Sequence, residues 1–595
     1  MMPKSALARR SITRIRVPFY RLAVSGALLV TAAVYLEAAF FDFVYDDFEQ
    51  IVYNPGIKSW DLAIGYFKSH VWAQSGSVLP LYYRPVFMLW LRANHALFGL
   101  HPLYWHLAAV VLHLLSCLLL YFFVRRLTED RWVAVVAVLL FGLHPAHLEA
   151  VAWISGATET LMAVLLFGSL LCHLKHRDSG ETKTDRWHVA SLILAFLAVL
   201  AKETAFVMPA LVFSYEWIFR QLEGSRKVRL LSALRAATPY VLISLVFVVL
   251  RTLALKHLTP PHTTAGLDSV LLAWPKVIAF YGSHLLFPFR LSVFYKLVTV
   301  THPGFQNFIL PLILMSVGAA TLCYGSLRSR VFAFLSVWGA IMLVPMLNVT
   351  LLYNVENVHD RYLYLPSAAF CVMLASLLAR LKDIGSTGTA LAGLMLIAAG
   401  YTFVTVSELK YWRNDYVLAQ HGVTLSPGHA IAPQLLGNVY IRQQRVAEAI
   451  PFLVEALDAQ PDNVDTLCSL GFCYSEMNAL PLAEECVTRA VALNGAEPRA
   501  HLLLGIVRFK QKRLAEAEAE IRRGIELQHV STGAMLFHYY LGNVLHAKGD
   551  VQGAIREYRL ELLNDPAIDP AVATAQARID QLAGQFRVPS QQYRQ

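Results

Sequence analysis

The chain has 595 residues, of which 56% are hydrophobic and only 15% are charged, and its mean hydropathy is +0.48. Soluble globular proteins carry about 25% charged residues, so this composition excludes a wholly soluble protein, a disordered chain, a collagen and a small disulfide scaffold. The net charge of +10 fits nucleic-acid binding in principle, but in an apolar chain basic residues more often mark cytoplasmic loops, so we expect no nucleic-acid partner. We predict a membrane protein with a soluble carboxyl-terminal tail.

The amino-terminal region predicts a basic leader, residues 1–21, followed by a first membrane span. The apolar run from Leu22 to Phe41 has the roughly 20 residues that a helix needs to cross a bilayer. A cleaved signal peptide is the alternative, but its apolar region is shorter, at roughly 7–15 residues. We therefore place the leader in the cytoplasm and a polytopic membrane domain at 22–407.

Further apolar runs predict an all-α membrane bundle with about 11 spans. They cover residues 103–124, 132–146, 150–173, 187–201, 203–220, 237–255, 307–326, 331–347, 361–380 and 388–407. Every second linker is rich in Lys and Arg and is expected to be cytoplasmic. This register requires that the apolar segment 271–289, which contains Pro275 and Pro288, lies at the outer surface or dips in and out. The carboxyl terminus is then outside.

The residues after 407 predict a linker, 408–429, and a tetratricopeptide repeat domain, 430–568, of about four repeats. Gly437, Gly471 and Gly505 are 34 residues apart, and Gly542 begins a fourth unit. Small residues at fixed positions let paired helices approach closely and stack as an α-solenoid. A helical bundle that shares the period by chance is the alternative. Residues 569–595 are expected to form a capping helix and tail.

The seven cysteines do not form a disulfide framework, because four of them lie in apolar stretches. No C-x-x-C pair occurs, which argues against structural zinc. Cys468, Cys473 and Cys486, in the second repeat, are either buried or include one bridged pair.

Two adjacent carboxylates, Asp46 and Asp47, lie in the first predicted outer loop, residues 42–102. Like charges side by side resist joint ionisation, so the pKa of one of them should rise, which suits a general base. The alternative is a helix cap, because Asp near a helix start accepts backbone N–H bonds.

Other polar residues fall at the predicted outer ends of the spans. Arg84 either holds a phosphate or belongs, with Tyr83, to an interfacial belt. His106 either lines a cavity or packs in the bundle. His144, His147 and Glu149 are expected in an aqueous cleft rather than at a metal, because Pro145 breaks the helical spacing of a zinc motif.

Two further charged pairs fall on the same predicted face. Lys202 and Glu203 face the cleft or form an ion pair in a turn. Asp360 and Arg361 form a structural ion pair or a site that grips a lipid phosphate.

Five motifs, taken together and in this order, resemble those of one protein family. They are Asp46-Asp47, Tyr83-Arg84-Pro85, His144-Pro145 through Gly156, Lys202-Glu203, and Asp360 through Ser367. The chain resembles GT-C glycosyltransferases, specifically their transmembrane and tetratricopeptide-containing, O-mannosyltransferase-like branch. The resemblance implies transfer of a sugar, with inversion, from a polyprenyl- or dolichyl-phosphate donor to a hydroxyl acceptor on the non-cytoplasmic face.

The resemblance also implies roles for residues. Asp46 is the general base and Asp47 its partner, with the reverse assignment open, and Arg84, Lys202 and Arg361 bind the donor phosphate. The cleft then includes Tyr83, His106, His144, His147, Glu149, Glu203 and Asp360. We expect no cofactor and no metal, with a divalent ion left open, because the lipid-linked sugar is itself the substrate.

The repeats are expected to bind an extended protein or peptide, either the Ser/Thr acceptor or a partner, while the membrane domain contacts lipid. The alternatives are a membrane-anchored repeat scaffold of an envelope glycan-assembly complex and a lipid or sugar transporter. We expect a bacterial inner membrane with the active site and repeats in the periplasm, or an endoplasmic-reticulum membrane with lumenal repeats.

Overall fold

The computed structural model describes residues 4–73, 82–178, 185–220, 225–256, 267–295, 300, 302–347, 358–527, 536–562 and 571–586, and within these ranges all regular structure is helical. The described chain forms two compact units. The first ends at His421, and the second contains Phe48–Ser59 together with the described residues from Gly422 onward. The predicted all-α class, a polytopic membrane bundle followed by an α-solenoid, is confirmed.

The first unit is built from long apolar helices and short connectors. Its principal α-helices are Lys4–Tyr35, Pro85–Phe98, Pro102–Thr128, Arg131–Leu143, Leu148–Val151, Thr158–Asp178, Arg186–Ala201, Met208–Phe219, Arg226–Leu255, Leu267–Leu286, Leu310–Arg328, Arg330–Leu343, Tyr364–Asp383 and Thr387–Leu409. The helix Asp415–Leu425 follows them. Caps fix several of these ends: Asp130, for example, accepts hydrogen bonds from the N–H groups of Trp132 and Val133 at 2.7 and 3.3 Å.

Nine helices in the described part of the chain are long and apolar enough to cross a membrane. They are Phe19–Phe40, Pro102–Thr128, Ser155–Asp178, Arg226–Leu255, Asp268–Leu286, Phe305–Arg328, Arg330–Leu347, Asp360–Asp383 and Thr387–Trp412. The pair Arg131–Leu143 and Pro145–Val151 makes a tenth if it is counted as one span bent by 58°. Pro145 causes this bend because it cannot continue a helix.

Fewer candidate spans are found than the apolar runs predict. The runs 187–201 and 203–220 form helices of only 16 and 12 residues, shorter than the roughly 20 that a bilayer requires. Conversely, the segment 271–289, which we expected to lie at the outer surface or to dip in and out, falls largely in the helix Asp268–Leu286, which has the length and composition of a span. The side of the membrane on which each loop lies stays a prediction.

Aromatic side chains fill the core of the membrane unit. Phe167 stacks on Trp338 at 5.9 Å between ring centroids, and Phe123 lies 5.6 Å from the same indole. All three rings are buried. This core holds the middle of the bundle rigid, while the helix interruptions after Leu143 and Ala201 and before Tyr364 carry the polar residues.

The second unit contains four helix pairs and a final helix. The pairs are Ile431–Arg442 with Val446–Ala459, Val464–Glu476 with Leu480–Leu493, Pro498–Lys510 with Leu514–Leu527, and Phe537–Ala547 with Val551–Glu561, followed by Ala571–Phe586. At the repeated glycines a Cβ atom would lie 2.4–2.7 Å from the partner helix, against Leu453, Val487, Ile521 and Tyr558. The repeat glycines are therefore close-approach positions, as the 34-residue period predicts.

All seven cysteines fall within the described ranges, and each is a free thiol. Cys468 and Cys473 are buried, whereas Cys486 is half-buried. Of the two alternatives for this group, burial is the one observed.

Candidate active site

One short stretch of the membrane unit, residues 149–159, contacts three of the predicted site residues. Glu149 pairs with Arg361, Ser155 donates hydrogen bonds to Asp47, and Glu159 pairs with Lys202. The stretch is compact because Gly156 lies against the Glu149 carbonyl, where a Cβ would approach the oxygen to 2.2 Å. A single bend in the chain therefore brings together residues that are far apart in sequence.

The acidic pair follows a backbone conformation that is unusual for its residue type. Tyr45 has φ of 51°, in the left-handed region that few residues other than glycine adopt. The Tyr45 N–H donates to Asp415 Oδ1 at 2.6 Å, which helps to hold this conformation. Asp46 and Asp47 then begin a helical turn with different environments: Asp47 is fully buried and Asp46 is half-buried.

Asp47 accepts three hydrogen bonds. The Ser155 N–H and hydroxyl donate to Oδ1 at 2.8 and 2.6 Å, and the Val44 N–H donates to Oδ2 at 3.2 Å. Burial raises the pKa of Asp47 to about 7, while these hydrogen bonds act in the opposite direction. The cause of the raised pKa is thus mainly burial, not the like charge that the sequence interpretation invoked.

Three predicted phosphate-binding cations each pair with a carboxylate. The Arg84 Nε donates to Glu203 Oε2 at 2.8 Å, and a second guanidinium nitrogen contacts Oε1. Arg361 contacts Glu149 through its guanidinium and also donates its backbone N–H to Oε2 at 3.0 Å. Arg361 therefore pairs with Glu149 and not with Asp360, the partner that the sequence offered, and Arg84 forms an ion pair that the sequence did not predict. The two arginine side chains remain 15% and 14% exposed.

Lys202 differs from the arginines because its side chain is only 2% exposed and contacts the equally buried Glu159. Burial lowers the pKa of Lys202, Glu159 opposes that effect, and the charges of Arg84 and Arg361 lower it further. The three cations are thus close enough to act on one another.

Tyr362 lies at the centre of this group. The Lys202 ammonium and the Arg361 guanidinium each lie 5.1 Å from its ring centroid. Such distances are typical of cation–π contacts, which favour positive charge around the ring. The cluster therefore combines three cations with three carboxylates around one aromatic side chain.

Trp153 connects the acidic pair with the cations. Its ring centroid lies 5.7 Å from that of Tyr45 and 6.2 Å from that of Trp412, and the Arg361 guanidinium lies 5.2 Å from it. The Tyr45 ring also meets Phe294 at 5.6 Å. The Trp153 ring is therefore in contact with Tyr45, which precedes Asp46, and with Arg361, to which the family resemblance assigns the donor phosphate.

The predicted cleft histidines are buried and have partners inside the bundle. His147 Nε2 lies 2.7 Å from the Ser367 hydroxyl, and His144 Nε2 lies 3.3 Å from the Leu285 carbonyl oxygen. His113, on the same helical face as His106, lies 2.7 Å from the Tyr364 hydroxyl. His106 packs under the first loop, 3.4 Å from the Asp42 carbonyl oxygen.

Two other predicted cleft residues also make internal contacts. The Tyr83 hydroxyl donates to the Phe67 carbonyl at 3.1 Å. Asp360 does not pair with its neighbour Arg361 but accepts a hydrogen bond of 2.6 Å from the Tyr295 hydroxyl. The expected aqueous cleft lined by all these residues stays a prediction.

Sequence reasoning missed Glu159, Ser155 and Asp415. Glu159 is a carboxylate in the first turn of a membrane helix, and such a costly residue in an apolar segment is a signal that could have found it. Ser155 lies within the motif that carries the family resemblance, but neither it nor Asp415 could be assigned a role, because their contacts are with residues more than 100 positions away in sequence.

The described residues contain no group of three or more His, Cys, Asp or Glu side chains arranged to hold a metal ion.

Comparison with known proteins gives matches in both units. A family model described as dolichyl-phosphate-mannose-protein mannosyltransferase matches residues 83–253, and a tetratricopeptide repeat model matches residues 440–504. The protein O-mannosyl-transferase TMTC3 of Mus musculus is 23% identical over 572 residues, covering 85% of this chain and 61% of the relative. The human protein O-mannosyl-transferase TMTC2 is 33% identical over 207 residues, which cover 34% of this chain and 24% of the relative.

A solved structure of the Archaeoglobus fulgidus oligosaccharyltransferase, tethered to an acceptor peptide, is 12% identical with a TM-score of 0.36 and covers 72% of this chain and 58% of that one. The chain spans about three fifths of the length of TMTC3 of Mus musculus and of the Caenorhabditis elegans protein O-mannosyl-transferase F38B6.6.

The fold and the polar cluster define a multi-pass, all-helical membrane protein that carries a tetratricopeptide repeat domain. Its resemblance to the tetratricopeptide-containing, O-mannosyltransferase-like branch of the GT-C glycosyltransferases, indicated by the motifs, is confirmed by the matches in both units.

Proposed function

We propose that the chain is a membrane glycosyltransferase that transfers a mannosyl group from a polyprenyl- or dolichyl-phosphate donor to a hydroxyl group of a protein. The names of the matching relatives and of the family model support mannose and a protein acceptor. The observation that carries the proposal is the stretch 149–159, which contacts Asp47, Lys202 and Arg361 and so joins an acidic pair to a cation cluster.

Asp46 is the general base in this proposal. Its half-buried position leaves it closer to solvent than Asp47, whose oxygens accept bonds from Ser155 and Val44. Asp46 accepts the proton of the acceptor hydroxyl as that oxygen attacks the anomeric carbon. Asp47 is a positioning residue, because it ties the loop to Ser155.

The phosphate leaving group is held by the cations. As the bond between the anomeric carbon and the phosphate oxygen breaks, its electron pair remains on the phosphate, and Arg84 and Arg361 stabilise the charge. Both arginines keep part of their surface exposed and carry N–H groups beyond those that bind Glu203 and Glu149. Lys202 contributes its positive potential from the interior. A single displacement inverts the anomeric carbon.

The repeat unit binds the acceptor protein or a partner in this proposal, on the surface that stacked helix pairs present. The acidic loop and the repeats face the non-cytoplasmic side, opposite the basic leader, in a bacterial inner membrane or, with lumenal repeats, an endoplasmic-reticulum membrane. The lipid-linked sugar is the substrate, and the proposed reaction uses no cofactor and routes no step through a metal.

The test compares exported and membrane proteins from cells that carry the wild type, a deletion, Asp46→Asn or Asp42→Asn. Asp42 is a matched control, because it is an exposed carboxylate of the same loop. Intact-mass spectra should show hexose additions with the wild type and with Asp42→Asn, and at least a 100-fold loss with Asp46→Asn. Identical spectra in all four strains, with normal membrane insertion, would refute the proposal.

A further inference from the structure

The indole N–H of Trp153 has no hydrogen-bond partner among the residues that the structure describes. The side chain is 4% exposed, so this donor is removed from bulk water. A buried N–H without an acceptor is destabilising, and such groups in native proteins call for an explanation. Most buried tryptophans have an acceptor, as Trp105 and Trp338 do here at 2.9 and 3.0 Å.

The Trp153 ring is fixed by its neighbours, so the N–H cannot simply turn toward another group. Tyr45 and Trp412 lie near its faces at interplanar angles of 32° and 26°. Arg361 makes a further cation–π contact. The N–H lies on the edge of the ring and is the one polar group that an indole offers to a ligand.

The position of this edge indicates what the ligand is. Trp153 contacts Tyr45, which directly precedes the proposed base Asp46. It also contacts Arg361, a proposed ligand of the leaving phosphate. The group that lies between a base and a leaving phosphate during transfer is the sugar. A hexose presents hydroxyl oxygens, which accept hydrogen bonds from an indole N–H.

We propose that Trp153 recognises the transferred sugar, and that its indole N–H donates a hydrogen bond to one hydroxyl oxygen of the hexose. This inference rests on the proposed function, because it takes the donor to be a lipid-phosphate sugar. It adds a specificity-determining residue that acts on the sugar and not on the phosphate or the lipid.

The experiment measures binding of two probes to the full-length protein in nanodiscs: polyprenyl phosphate mannose and the sugar-free polyprenyl phosphate. Trp153→Phe keeps an aromatic ring but removes the N–H. It should weaken binding of the mannosyl lipid roughly fivefold, the equivalent of one neutral hydrogen bond, and leave binding of the sugar-free lipid unchanged. Trp412→Phe is the control, because it loosens the same stack and retains the Trp153 N–H.

A second measurement compares donors within each protein, so that a general loss of binding-competent variant cancels. Deoxy analogues of the mannosyl donor, each lacking one hydroxyl, are bound to the wild type and to Trp153→Phe. One analogue should lose affinity with the wild type and show no further loss with the variant, because both changes remove the same hydrogen bond.

Three outcomes would overturn the inference. Equal affinity of wild type and Trp153→Phe for the mannosyl lipid overturns it while the proposed function stands. Equal losses on both probes, or with Trp412→Phe, show a packing role instead. If the wild type binds neither lipid, the proposed function itself fails.

Discussion

Ser155 donates two hydrogen bonds to one oxygen of Asp47, from its backbone N–H at 2.8 Å and from its hydroxyl at 2.6 Å. The two residues are 108 positions apart in the chain. This contact ties the first loop to the stretch that also contacts Arg361 and Lys202, and several predictions about the acidic pair follow from it.

Replacing Ser155 by Ala should remove the hydroxyl bond and retain the backbone bond. We expect a loss of about 1 kcal/mol in the free energy of unfolding. The pKa of Asp47 should rise further, because the Ser155 hydroxyl lowers it in the wild type. Thermal unfolding in detergent measures the first effect. Ser376→Ala is the control, since that hydroxyl bonds to a carbonyl one turn back in its own helix; equal losses in both variants would contradict the prediction.

The contribution of Asp47 to the free energy of unfolding should fall as pH rises from about 4 to about 7. Burial raises the pKa of Asp47 from 3.8 to about 7, so between these values the folded state binds more protons than the unfolded state. This contribution is fully present below pH 4 and is lost as pH rises through 7. In thermal unfolding, the stability of the wild type relative to Asp47→Asn should therefore fall across this window, whereas its stability relative to Asp42→Asn should not change with pH. A wild-type profile that rises through the same window, unchanged by Asp47→Asn, would contradict it.

The two aspartates should differ in their effect on the rate of transfer. Asp46→Asn removes the proposed base and should lower kcat by at least about 100-fold. Asp47→Asn retains an oxygen that can accept from Ser155, but its amide cannot also accept from Val44, so we expect a smaller loss, about tenfold. Initial rates with a polyprenyl phosphate mannose donor measure both. The opposite order of severity would reverse the roles assigned to the pair.

The Lys202–Glu159 pair should act mainly on stability. Lys202→Met leaves a buried carboxylate unpaired and should cost about 3–5 kcal/mol, whereas the double variant with Glu159→Leu should recover most of this loss. In the double variant, affinity for polyprenyl phosphate should change less than about threefold, against tenfold or more for Arg361→Gln. A tenfold loss of affinity in a well-folded double variant would show that Lys202 contacts the phosphate directly.

Gly156→Ala should disrupt the stretch 149–159. Its Cβ would lie 2.2 Å from the Glu149 carbonyl oxygen, which is backbone and cannot move aside without displacing Glu149. We expect a loss of more than about 2 kcal/mol in stability together with loss of transfer activity. Gly318→Ala is the matched control, because nothing lies within 4 Å of a Cβ there and alanine favours a helix. Equal behaviour of the two variants would contradict the close approach.

Much of the fold was predictable because its signals are local. Apolar runs and a 34-residue period depend only on nearby residues, and both led to the helices observed. The number of spans was less predictable: the runs 187–201 and 203–220 are apolar but form short helices, and Asp268–Leu286 retains helix geometry despite Pro275.

The site was predictable in its residues but not in its pairings. An unusual Asp or Arg at the end of an apolar run is visible in the sequence, so Asp46, Arg84 and Arg361 could be found. Which carboxylate each cation meets depends on tertiary packing. Asp360 illustrates this, because it meets Tyr295 rather than the arginine beside it.

The compactness of residues 149–159 has a consequence for how this protein tolerates change in length. Three anchoring contacts arise from one uninterrupted stretch whose spacing is set by a tight turn, so adding or deleting a single residue there would shift at least one anchor out of reach. In a scan of insertions and deletions along the chain, this stretch should stand out as a narrow intolerant window, while the linkers between membrane helices accept such changes.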